Sequence, residues 1–166
     1  MSIRTVAGVD PGKSSAAIAL YGYRESSRPR LITTAEIPTF PDGKRIDWFW
    51  LQDWCQKWQP SIAYIENATA MGEGTVSGYL KAAGAIEAAI SLSGVDSVYI
   101  MPADWKRALG LLKADKKQSV ILARELFPEH ADSLFKHWNS HNIAEAACLA
   151  AYGASRCDLI QLRAAA

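Results

Sequence analysis

Apolar and polar residues fall in short blocks separated by turn residues, and the first half of the chain reads as strands. An apolar run over 5–9 ends at Asp10-Pro11-Gly12-Lys13, and a second run covers 15–21. A turn of that composition between two apolar runs predicts a hairpin. After a polar Ser-Arg-Pro stretch, residues 31–37 alternate and carry two threonines, which predicts a third strand closed by Pro38, Pro41 and Gly43. Phe49, Trp50, Trp54 and Trp58 recur at helical spacing, so 46–58 reads as a helix that stops at Gln59-Pro60. Residues 61–65 make a short buried strand with Glu66 at its end.

Past Gly72 and Gly74, residues 76–92 read as a helix whose small residues Gly78, Ala82, Ala85 and Ala89 form a face suited to close approach to a sheet. A fifth strand follows over 95–101. Pro102 opens a short helix through Leu109, Lys116 to Phe127 forms another before Pro128, and 141–154 is the last. Three strands joined by tight turns predict antiparallel pairing, and two more reached through helices predict parallel additions. The expected fold is α/β, a mixed five-stranded sheet with helices on both faces. The 166 residues suit one domain over 1–166 with an ordered core near 3–155, and 49% hydrophobic residues supply a core.

Two strands end in acids. Asp10 closes the first and Glu66 the fourth, and a buried unpaired carboxylate is costly enough to need a reason. For Asp10 the plain alternative is a turn starter, and for Glu66 a solvent-facing strand end. Glu145 interrupts an Ala-rich helix, and His141 lies about 40° from it on the same face at about 100° per residue. Neighbouring strands with the last helix packed across them would gather the three acids. Oxygen-rich clusters suit Mg²⁺ or Mn²⁺, and two such ions about 3.5–4 Å apart serve phosphodiester hydrolysis.

Gly8-Val9-Asp10-Pro11-Gly12, Tyr64-Ile65-Glu66, Trp105-Lys106-Arg107-Ala108-Leu109-Gly110 and His141-Asn142-Ile143-Ala144-Glu145-Ala146 occur in that order. Together they resemble the RuvC family of Holliday-junction endonucleases, in the RNase H-like superfamily, over nearly the whole chain through Gly153. The form looks more like the phage or prophage-type branch than the housekeeping bacterial enzyme. The resemblance implies a homodimer that binds four-way or branched DNA and makes paired nicks with two Mg²⁺ or Mn²⁺ ions per active site. It implies Asp10, Glu66 and Glu145 as catalytic metal ligands, Glu145 standing where Asp is usual, with His141 as the fourth catalytic residue and a further metal ligand. Many relatives carry a second Asp three positions before the last acid. Here that position is Asn142, so the fourth role stays open between His141 and Asn142. By resemblance again, Met71 is placed as a junction wedge.

Net charge is only +1, so DNA binding requires local clustering of cations. Lys106, Arg107, Lys113, Lys116 and Lys117 supply such a cluster, with Lys13 beside Asp10 as a further phosphate contact; solvated surface charge is the plain alternative. A His137-His141-Glu145 zinc face is a competing reading, without the Glu that a metalloprotease motif places after its first His. Two further readings are an inactive module that binds branched DNA and a nuclease for RNA–DNA hybrids. The three cysteines, Cys55, Cys148 and Cys157, form no C-x-x-C pair, and the first residues contain no long apolar run. A bacterial cytoplasmic protein is expected, with no membrane and no small-molecule cofactor.

Overall fold

The computed structural model describes residues 4–12, 15–23, 28–67, 76–113 and 115–157. Five strands form one sheet: β1 (Thr5–Asp10), β2 (Ala17–Gly22), β3 (Arg30–Glu36), β4 (Ile62–Glu66) and β5 (Asp96–Ile100). Their order is β3-β2-β1-β4-β5. β1 pairs antiparallel with β2, as β2 does with β3, whereas β4 joins β1 and β5 joins β4 in parallel. This mixed sheet is the one the sequence predicts. β1 sits at its centre and is buried at every position, as expected of a strand covered on both faces.

Helices α1 (Trp48–Trp58) and α2 (Val76–Leu92) cover one face; α3 (Pro102–Ala108), α4 (Lys116–Leu126) and α5 (His141–Arg156) build the other. α1 begins two residues later than its periodicity suggests because the Asp47 carboxylate caps it, accepting from the Trp50 N–H at 3.0 Å. Ile46 instead bridges to Thr39 and is buried. α1 stops where Gln59 takes a left-handed φ of 48° before Pro60. Asp115 caps α4 by accepting from the N–H groups of Lys117 and Gln118.

α5 lies directly on β1 and β2. Its buried positions are mostly alanines, with Gly153, Cys148 and Leu149, so its axis can come close to the sheet. The approach is tightest over Gly8, where an added Cβ would stand 2.3 Å from both the Ala146 carbonyl oxygen and the Ala150 nitrogen. Only glycine fits there. α5 starts at His141, after a separate 3-10 turn over Trp138–Ser140, so His137 does not share its face. That break removes the helical zinc triad. The small-residue face of α2 is also only half as expected: Ala82 and Ala89 are buried, but Gly78 and Ala85 border a cavity.

Candidate active site

β1 and β4 run parallel with Val9 opposite Ile65, so Asp10 and Glu66 leave neighbouring strands at the same end of the sheet. α5 brings Glu145 over that end. Asp10 and Glu66 are each 8% exposed, and the Glu145 side chain is 13% exposed. Burial, then repulsion from Glu145 and Glu66, pushes the Asp10 carboxyl well above the usual carboxylate range; Lys106 and Lys116 partly oppose this. Glu66 is also raised, mainly by burial, with Lys106 and a hydrogen bond from Trp105 acting in the other direction. The three acids therefore share one electrostatic environment.

Each glutamate has a neutral partner that orients it. The fully buried Trp105 donates its indole N–H to Glu66 Oε2 at 2.6 Å, and the buried Ser119 hydroxyl donates to Glu145 Oε1 at 3.1 Å. Lys106 lies between them, its Nζ 3.5 Å from Glu145 Oε1 and 4.0 Å from Glu66 Oε2, and packs over the Trp105 ring. Tyr79, in the first turn of α2, is close enough to feel the cluster: burial, then the charges of Asp10, Glu66 and Glu145, raise its phenol pKa. Trp105, Ser119 and Tyr79 were not predicted as site residues. Trp105 carried a signal as the first residue of the motif through Gly110, whereas the Ser119 contact and the proximity of Tyr79 arise from tertiary packing.

The remaining predicted residues divide. His141 Nε2 is 3.2 Å from Lys116 Nζ. Asn142 donates its side-chain N–H to the Ser15 carbonyl at 2.7 Å, which ties α5 to the start of β2. Of the basic window, Lys106 turns toward the acids, Arg107 pairs with Asp104 at 3.4 Å, and Lys113, Lys116 and Lys117 are exposed, Lys116 meeting His141. Lys13 and Met71 lie outside the described residues.

The donor set is all carboxylate oxygen, which suits a hard divalent cation. Three clustered acids against one amine between them also leave the negative charge that such an ion would neutralise. As the side chains stand, no three His, Cys, Asp or Glu residues among the described ones are grouped to hold a single ion, and Lys106 Nζ lies within 4.0 Å of both glutamates. The chemistry of the acids fits the metal.

Solved structures share this architecture. Thermus thermophilus RuvC in complex with Holliday junction substrate superposes with a TM-score of 0.70 at 20% identity, over 91% of this chain and 93% of that one. The fold is RNase H-like, of the RuvC kind. The fowlpox virus resolvase, in complex with Holliday junction DNA, matches with a TM-score of 0.62 at 18% identity over 91% of this chain and 99% of its own. The yeast mitochondrial Holliday junction resolvase gives 0.56 at 14% identity, over 91% and 78%. No protein-family model matches the chain, and no curated protein matches it by sequence. Among the described residues no helix is long and apolar enough to cross a membrane.

Proposed function

We propose that this protein is a metal-dependent endonuclease that cuts branched DNA, four-way junctions foremost, by phosphodiester hydrolysis. The observation that carries the reading is the meeting of Asp10, Glu66 and Glu145, drawn from β1, β4 and α5, at one end of a RuvC-like sheet. Such a gathering of buried acids serves no packing purpose.

Asp10, Glu66 and Glu145 are the residues that would hold Mg²⁺ or Mn²⁺. When bound, such ions supply Lewis-acid stabilisation of a phosphoryl oxygen and a water deprotonated near neutral pH. Trp105 and Ser119 keep the two glutamates in place. Lys106, whose amine faces both glutamates, would contact the phosphate being cut, and Lys116 meets His141 at the rim. Paired nicking requires two copies of the chain. The exposed Leu80, Leu92, Val98 and Tyr99 on α2 and the edge strand β5 offer the apolar surface for a homodimer.

The test is a cleavage panel of four-way junction, fork and RNA–DNA hybrid, with metal omitted and restored. We expect Mg²⁺- or Mn²⁺-dependent nicking of the junction that Asp10→Asn and Glu66→Gln abolish while junction binding persists. The placement of Lys106 between Glu66 and Glu145 favours one second reading, a binding module in which that amine has replaced the metal. Wild-type protein that binds junctions and never cuts would select it, and preference for the hybrid would shift the substrate class.

A further inference from the structure

A cavity of about 200 Å³ lies between α2 and the segment joining β3 to α1, separate from the acid cluster. Phe40 and Trp48 supply aromatic wall, Lys44, Arg45 and Lys81 supply charge, and Ala82 forms part of its α2 side. None of its lining residues is an acid. Arg45 pairs with Asp42 at 3.0 Å and lies over the Phe40 ring. Among the described residues the exposed Lys44 and Lys81 have no carboxylate partner.

The sheet register puts this cavity at the same end as the acids. Asp10 is opposite Ala17, and Ala17 is opposite Glu36, so β3 ends level with Asp10 and the segment carrying Phe40 to Trp48 leaves the sheet there. α2 returns from the end of β4 to begin the parallel strand β5, so its first turns occupy that end too. Tyr79, two residues before Lys81, already feels the charge of all three acids.

We propose that this cavity is a nucleotide subsite, holding the base and phosphate of an unpaired residue on the DNA strand next to the cut. Its volume is below the roughly 300 Å³ at which drug-sized ligands begin to fit and suits one base. Aromatic side chains with adjacent cations are the chemistry by which single strands are held without sequence readout. The proposal deepens the nuclease reading and rests on it for the identity of the strand, but its test does not depend on cleavage.

The probe is fluorescein-labelled dT12, titrated by anisotropy with metal chelated. Lys44→Ala/Lys81→Ala should weaken binding at least about fivefold and lower the salt slope by about 1.4, since each phosphate contact on a single strand contributes about 0.7. Trp48→Ala should weaken binding by about fivefold or more, and Trp48→Phe should restore most of it, because stacking needs an aromatic face. Lys57→Ala, an exposed lysine at the far end of α1, should bind as wild type does. The lysine pair, both exposed, guards against a folding defect at Trp48. Unchanged affinity and salt slope in the lysine double variant, or no binding of dT12 by wild type, overturns the subsite. If dT12 binding depends on Lys44 and Lys81 while no branched DNA is ever cut, the subsite stands and the nuclease reading fails.

Discussion

The two faces of the sheet are built to different tolerances. On one, α5 presses on β1 so closely that backbone atoms fill the space above Gly8, and a Cβ on Gly153 would meet the Tyr64 ring at 2.6 Å and the Val6 side chain at 2.8 Å. On the other, Ala82 and Ala89 of α2 are buried but Gly78 and Ala85 border a cavity of about 200 Å³, and the helix's outer side carries the open Gly84 and Leu80, which is 51% exposed. The close face fixes Glu145 relative to Asp10. The other face leaves a cavity at the same end of the sheet. The proposed function would need both, because catalytic positions must be held to a fraction of an ångström while a polymer must still enter.

The largest test of this contrast is Gly8→Ala. The new methyl has to move helix backbone, not a flexible side chain, so we expect about 3 kcal/mol of lost stability in urea unfolding and lost nicking even where the protein remains folded. Wild-type stability in this variant would show that the close face yields easily. Trp105→Phe should come next: it removes the buried N–H that Glu66 accepts while keeping an aromatic ring. A carboxylate deprived of such a bond costs about 1–3 kcal/mol, and single-turnover nicking should fall at least about tenfold, with DNA affinity unchanged.

Asp10→Asn probes the same face electrostatically. A carboxyl whose pKa is raised on folding binds its proton more tightly in the native state. Its ionisation therefore costs nothing below the ordinary carboxyl value and subtracts stability as pH rises toward the folded value. With metal chelated, calorimetry should find Asp10→Asn melting above wild type at pH 7, with the gap narrowing as pH is lowered toward the ordinary carboxyl range. Equal melting temperatures at both pH values would remove the cost assigned to burying Asp10 beside the other two acids. Gly84→Ala should have the smallest effect, a gain of up to about 1 kcal/mol from helix propensity at an open position, with cleavage unchanged.

The fold was legible because its signals are local. Apolar blocks punctuated by Asp10-Pro11-Gly12, Pro38 and Gln59-Pro60 define the strands and stop α1, and pairing follows from whether a turn or a helix joins two strands. The acids were legible only together: Asp10 and Glu66 close apolar strands, each with a plain alternative, and Glu145 interrupts an Ala-rich helix, so it was their convergence that singled them out. What holds them was not legible. Trp105 reaches Glu66 across 39 positions and Ser119 reaches Glu145 across 26, contacts that exist only after α3 and α4 dock. Asn142 illustrates the limit: its spacing from Glu145 invites a ligand role, yet its side chain holds the Ser15 carbonyl, a bond spanning 127 positions. The small face of α2 misled for a related reason, since alanine and glycine spacing shows that close approach is possible but not whether a neighbour fills the space.

The placement of α5 on β1 has a temporal consequence. Asp10 lies on β1 and Glu145 on α5, so the three acids meet only after the chain between them has been made. A chain interrupted before α5 would carry two of the acids and lack the third.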